Sequence, residues 1–157
     1  LYLRQSGWTD LTADSAISSF HLASMIMVLP VTMLSDRLGK RKGMLVIMGL
    51  MTTTGIALLA LVQGNAVWAA IILAGMARDS FMALFMIQVM ETEHVGPLYA
   101  GTATGFVQVF ASLGNTLAPS LGNQLVSVSA ALPFAAWAIL AAVGILSLSL
   151  TRTPAHH

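Results

Sequence analysis

The sequence predicts an all-α, multi-pass transmembrane helical bundle, and three observations carry that prediction. Of 157 residues, 57% are hydrophobic and only 8% charged, whereas a soluble domain of this length is about one quarter charged. Mean hydropathy is +0.83. No Asp, Glu, Lys or Arg occurs between Val95 and Thr151, and four of the seven Lys/Arg residues crowd into the stretch from Arg37 to Lys42. Charge this scarce and this confined cannot cover a water-facing surface, so lipid is the expected solvent. The absence of Cys excludes a disulfide framework and a thiolate metal site. With one small basic cluster and no nucleic-acid motif, DNA and RNA are excluded as partners.

About 20 apolar residues cross the hydrocarbon core, and Gly, Pro and Asn mark the breaks. The first span is expected at about 13–34, between Thr12 and the charged cluster. The second runs from about 44 to 62 and ends at Gln63-Gly64-Asn65. The third covers about 67–90 and is followed by the polar link Glu91-Thr92-Glu93-His94-Val95-Gly96-Pro97. The fourth extends over about 99–121 and the fifth over about 132–150. These runs are too long for β-barrel strands and show no sustained alternation. Short loops make successive spans antiparallel neighbours. By the positive-inside rule the 36–42 loop is cytoplasmic, which puts Arg152 and the C-terminus on the same side, Arg4 outside and Arg78 within the membrane. Because it starts at Leu1 and lacks a signal-peptide pattern, the chain reads as a piece of a longer protein, with residues 1–5 as the end of an earlier helix.

The cluster Asp36-Arg37-Leu38-Gly39-Lys40-Arg41-Lys42 has a physical reading of its own. Gly39 permits a turn with positive φ. The basic residues can meet anionic lipid headgroups and fix topology. Asp36, at a helix end, is within reach of basic groups or a neighbouring helix N-terminus. The cluster also resembles the signature between the second and third helices of each half of a major facilitator superfamily transporter, Gly-x-x-x-Asp-Arg/Lys-x-Gly-Arg/Lys-Arg/Lys. Asp36, Arg37, Gly39, Lys40 and Arg41 match it, and Thr32 stands where the signature begins with Gly.

Other segments carry the same resemblance. Gly7-Trp8-Thr9 and Ala13-Asp14-Ser15 lead into the first span as in many second halves. Glu91 to Pro97, followed by Ala100-Gly101-Thr102-Ala103-Thr104-Gly105, is similar to the start of the eleventh helix. Thr151-Arg152-Thr153-Pro154 ends the chain soon after an apolar helix. The resemblance implies a partial fold of that superfamily with five complete spans, helices eight to twelve, residues 1–157 forming a C-terminal transmembrane domain. It also implies that the charged loop makes contacts between helices in one conformation and breaks them in another. A positive-inside anchor without a gating role is the competing reading. Gly114-x-x-x-Ala118-Pro119-x-x-Gly122-Asn123 resembles an antiporter signature of the fifth helix, with two glycines replaced. That feature keeps open the N-terminal half of a drug/proton antiporter.

Polar residues inside a span are expensive and face the bundle interior or a wet cavity. On the first span Asp14, Ser18, His21, Thr32 and Ser35 fall on one helical stripe, with Ser24 at its margin. On the fourth, Gly101, Thr104, Gln108, Ser112, Asn115, Pro119 and Gly122 do the same. The resemblance implies that the first, third and fourth spans line a central cavity while the second and fifth support it from outside. Gly101, Gly105, Gly114 and Gly122 read first as close-packing positions. For Gln108 and Asn115, interhelical hydrogen bonding and cavity lining both stand.

Arg78-Asp79, near the middle of the third span, is the leading site candidate, because a bare charge there costs about 2.5–3.5 kcal/mol on insertion scales. Arg78 can hold an anionic solute and Asp79 can carry a coupling proton. Adjacent residues point about 100° apart, so the two are expected to serve different neighbours rather than each other. An interhelical ion pair without a transport role is the alternative. His21 can relay a proton or act as an interior hydrogen-bonding residue. No His, Asp and Glu set has metal-ligand spacing, and the ten Met residues read as packing.

The sequence therefore reads as that of a secondary active transporter of a small, anionic or zwitterionic solute in the plasma or inner membrane. It works by alternating access, with a coupling proton and no cofactor, and its other half is missing. A non-transporting membrane scaffold or receptor of the same fold is the second reading. A membrane enzyme is disfavoured for want of a nucleophile–base pair.

Overall fold

The computed structural model describes residues 8–92, 95–129 and 131–151, and every described regular element is an α-helix. Five helices follow one another: α1 (Asp10–Leu38), α2 (Arg41–Leu61), α3 (Ala66–Met90), α4 (Gly96–Val126) and α5 (Leu132–Leu150). The links between them are short, so consecutive helices run up and down as a bundle. Residues 1–7, which include Arg4, and 152–157, which include Arg152, lie outside the described residues, as do Glu93 and His94.

Each boundary has a local cause. Thr9 caps α1, its Oγ1 accepting from the Thr12 backbone N–H at 3.3 Å, which satisfies one of the orphan donors of the first turn. The same helix ends where Gly39 adopts φ 61°, with its N–H donating to the Ser35 carbonyl. A residue with a Cβ pays for that left-handed turn and Gly does not. Gly64, again at positive φ (62°), sits in the turn before α3. Pro133 stands in the first turn of α5, where its fixed φ suits a helix start.

Four helices (α1, α2, α3 and α5) are long and apolar enough to cross a membrane by length and composition, counted among the described residues. The fourth in sequence, α4, is the longest at 31 residues. Its Gly, Thr, Ser, Asn and Gln content holds it below the apolarity of the others. Both α1 and α4 run well past the apolar stretches expected for them (13–34 and 99–121), because their flanking polar residues continue the helix rather than breaking it.

The centre of the packing is α3, which lies most extensively against α1 and α2, while α2 also packs on α5. Val31, Met44, Leu45, Met48, Ala77 and Leu84 form one buried cluster across α1, α2 and α3. Ala16, Val67 and Ile71, with Trp8, Phe20 and Trp68 around them, form a second nearer the other end. Close approach requires missing side chains. A Cβ on Gly75 of α3 would stand 2.5 Å from the Phe20 carbonyl oxygen of α1, and one on Gly55 of α2 would stand 2.8 Å from Ala74 of α3. By contrast Gly101, Gly105 and Gly114 of α4 have nothing within 4 Å among the described residues. Gly122, the last of that series, meets Trp137 of α5 at 3.9 Å, and the tightest approaches among the described residues fall at Gly49, Gly55 and Gly75.

Large apolar side chains cover the outside of the bundle. Leu11, Leu22, Met25, Leu29, Phe106, Phe110 and Leu146 are all more than half exposed. In water this would be an aggregation surface; in a bilayer it faces acyl chains, and association rests on van der Waals fit and polar contacts.

Candidate functional site

Two polar centres stand out against this background, one in the middle of α3 and one at the bundle end where α1 meets α2.

Arg78 lies about 18 Å along the axis from the start of α3, at a rise of about 1.5 Å per residue. Its Nη1 donates to Asp79 Oδ1 at 3.2 Å. This corrects the expectation that the two neighbours face different partners. The Arg stem is long and flexible enough to bend its guanidinium across the 100° between adjacent positions. The pair is about half open, with side-chain exposures of 49% and 41%, so both charges remain reachable. Arg78 Cζ also stands 5.9 Å from the centre of the Phe20 ring of α1, within cation–π range. Behind the pair, the Asp79 backbone N–H donates to Ser24 Oγ at 3.3 Å. Ser24 is completely buried, so α1 and α3 are pinned together at the level of the charges.

Arg78 forms part of the wall of a cavity of about 840 Å³ between α2, α3, α4 and α5, within the size range of small-molecule sites. Its walls are mainly apolar, with Phe81 and Phe85 stacked at 6.0 Å, Trp137 from α5 and Asn115 from α4. Thr52 and Thr53 of α2 add hydroxyls; the Thr53 Oγ1 is buried and has no hydrogen-bond partner among the described residues. So α2 and α5 form walls of this cavity, where supporting positions were expected for them. Gly144 of α5 has open space where a side chain would stand, whereas Gly49 of α2 is closed over by Ile145, 2.8 Å from where its Cβ would be.

The other sequence candidates scatter. Asn115 shares the cavity with Arg78, whereas Gln108 lines a separate groove of about 540 Å³ bounded by α4 residues alone. His21 is exposed on α1 and meets Phe20 edge-on, the ring centres 5.4 Å apart. The expected stripe of α1 divides: Ser24 and Ser35 are buried, while Asp14, Ser18 and His21 are exposed. A 29-residue helix drifts far enough around its axis that its two ends do not address the same neighbour.

At the bundle end, Arg41 in the first turn of α2 holds two carboxylates. Its Nη2 donates to Asp36 Oδ1 of α1 at 2.8 Å, and its Nη1 pairs with Glu91 just past the end of α3. One guanidinium fork thus ties three helix ends together. Beside it, Lys42 Nζ donates to the Ser149 carbonyl at 3.0 Å and to the Thr151 carbonyl, closing the end of α5 onto α2. Those carbonyls have no intrahelical donor, and a cation at a helix C-terminus is favourable. Arg37 occupies the last turn of α1 and is exposed, as is Lys40. Sequence reasoning missed Glu91 and the clamp made by Lys42. Topology held the signal: antiparallel α2 and α3, of 21 and 25 residues, bring the first residue of one to the last of the other.

Among the described residues no group of three or more His, Asp and Glu side chains converges on a metal-sized site.

A family model described as Major Facilitator Superfamily matches residues 1–157. The chain belongs to the Major Facilitator Superfamily. No curated protein and no solved structure matched it. Membership makes this a multi-pass membrane protein of the transporter kind, and the signature residues Asp36 to Arg41 are then its most recognisable local feature. In this chain of the superfamily the loop is stitched to α3 through Glu91 and to α5 through Lys42.

Proposed function

We propose that this chain is the C-terminal half of a secondary carrier that moves a small anionic or zwitterionic solute by alternating access, its five helices corresponding to the eighth to twelfth of twelve. The observation that carries the reading is the half-open Arg78–Asp79 pair in the middle of an apolar helix, with Arg78 on the wall of a cavity. Such charges are costly in a membrane, and this pair is not sealed into the core as a structural bridge would be.

The geometry supports a simple coupling. With Asp79 ionised, Arg78 is neutralised at 3.2 Å. A proton arriving at Asp79 removes that partner and frees the guanidinium fork for the solute's carboxylate or phosphate. Uncompensated charge is avoided in both states, which links proton and anion binding. The Asp36–Arg41–Glu91 contacts serve as the lock on one mouth, since they join three helix ends that must separate for that mouth to open.

A second reading, a non-transporting scaffold, draws on the fact that Arg78 already has a partner. Uptake by the full-length protein in proteoliposomes decides between them, using a panel of small organic anions with and without an imposed proton gradient. The carrier reading expects Arg78→Ala to abolish anion uptake and Asp79→Asn to keep binding while losing the gradient dependence. If no anion moves, or if both variants behave as wild type, the scaffold reading stands instead.

A further inference from the structure

The cavity beside Arg78 is selective about more than the sign of a charge. Among the described residues, Arg78 is the one ionisable side chain in its wall. Asp79 does not stand there, and in the cycle proposed above it is neutral when the solute binds. A second charge on the solute, of either sign, would therefore meet no counter-charge in the cavity. Carrying an unpaired charge into an apolar site is costly.

Neutral hydrogen-bonding groups are nearly as scarce in the wall. The Thr52 hydroxyl commits its proton to the Met48 carbonyl one turn back, at 3.0 Å. The Thr53 Oγ1 is buried, with almost no surface for a ligand to reach. That leaves chiefly the Asn115 amide and the Trp137 indole N–H. A polyhydroxy acid would have to shed water from several hydroxyls and find few groups to receive them.

Aromatic and aliphatic surface makes up the rest. Arg78, Phe81, Met82 and Phe85 recur at i, i+3, i+4 and i+7, so they form one stripe of α3, with the cation at its start and about 10 Å of apolar surface beyond it. The Phe81 and Phe85 rings lie within 7° of parallel, their centres 6.0 Å apart. Trp137 comes from α5 and Leu117 from α4. A carboxylate alone would fill a small part of the 840 Å³, and only an apolar body gains free energy from the remainder. Building on the carrier function above, we propose that the solute is an amphipathic monoanion. One carboxylate meets Arg78, and an uncharged, aryl-bearing body lies along the Phe81–Phe85 stripe. Zwitterions and polyhydroxy acids are rejected by the same wall.

Four probes of similar size test this by titration calorimetry on the full-length protein in mildly acid detergent buffer. They are 3-phenylpropionate, 3-phenylpropanol without the charge, phenylalanine with an added ammonium, and gluconate with hydroxyls in place of the ring. The first is expected to bind at least about tenfold more tightly than each of the others, as loss of a charge-assisted contact or of a buried ring implies. Its binding should change the emission of Trp137, read as the difference between wild type and Trp137→Phe; Trp8 and Trp68 stand together in the other cluster. Phe81→Leu should narrow the gap between 3-phenylpropionate and gluconate, and Arg78→Gln the gap between 3-phenylpropionate and 3-phenylpropanol. Phenylalanine or gluconate bound as tightly as 3-phenylpropionate overturns the proposal and leaves the carrier reading in place. Equal binding of 3-phenylpropanol overturns it together with the role of Arg78. If none of the four binds, the proposal fails, and the carrier reading fails with it only where no anion of the uptake panel moves either.

Discussion

Two glycine-to-alanine substitutions, one at a crossing and one in open space, should have opposite effects on stability. At Gly75 an added Cβ would stand 2.5 Å from the Phe20 carbonyl oxygen and 3.1 Å from its Cα. The obstruction is backbone on the facing helix, so no side-chain rotation relieves it, and α1 and α3 must separate by most of an ångström. Ser24 and Asp79 bond across this same interface, so the separation also lengthens a 3.3 Å contact. Overpacking of this kind costs about 1–3 kcal/mol, and for a chain of this size each kcal/mol moves Tm by about 2–4 °C. Gly75→Ala should therefore lower Tm by about 2–12 °C. Gly105 lies inside α4 with nothing within 4 Å of an added Cβ among the described residues, and there alanine removes a helix-propensity penalty of about 0.5–1 kcal/mol. Differential scanning of both variants in the same detergent measures the contrast. Equal shifts, or a Gly75→Ala protein as stable as wild type, would refute the claim that the α1–α3 crossing is set by backbone contact at this residue.

Two other outcomes follow from the bundle end and its topology. Glu91→Gln leaves Arg41 with Asp36 alone; because the Arg41–Glu91 pair is partly exposed, its worth is discounted to about 0.5–1 kcal/mol, a two- to fivefold shift of the carrier towards the state open at that mouth. Labelling of single cysteines placed in the two halves reads the shift, and an unchanged pattern removes Glu91 from the lock. Cysteines at Gly43 and Asn65, at opposite ends of α2, should react with impermeant reagents from opposite sides of the membrane; reaction from one side would break the spanning assignment of α2.

The fold was legible because lipid imposes a coarse code. Length and apolarity mark a span whatever it packs against, so α2, α3 and α5 lie close to the stretches their composition indicates. Helix ends were less legible at α1 and α4, where polar residues continue a helix beyond the hydrocarbon. The site was legible by scarcity: Arg78 and Asp79 stand alone in α3, and their expense singles them out. Their mutual contact was not, since helical geometry speaks of Cβ directions and an Arg stem reaches past them. Glu91 escaped for another reason. In sequence it belongs to a polar link, and only the antiparallel return of α3 along α2 carries it back to Arg41.

That return also bears on how the two polar centres communicate. Arg78 lies within α3 and Glu91 caps its end, about 20 Å further along the same axis at the usual rise. Between them Ser80 and Leu84 are fully buried, Leu84 in the cluster shared with α1 and α2, so this part of α3 has little freedom to bend separately from its neighbours. In the proposed cycle, a solute that draws Arg78 away from Asp79 acts on the same rigid rod whose end holds the lock. In that proposed cycle the coupling needs no chain of intermediate side chains, because the cycle gives α3 one position with Arg41 on Glu91 and another without that contact. The loosely packed α4 supplies the complementary freedom: it contributes Asn115 to the cavity yet touches α3 and α5 only lightly, so the cavity can change width without disturbing the α1–α2–α3 core. Charge at the centre, charge at the end and a stiff connection between them are what an alternating-access element requires of one helix, and α3 has all three.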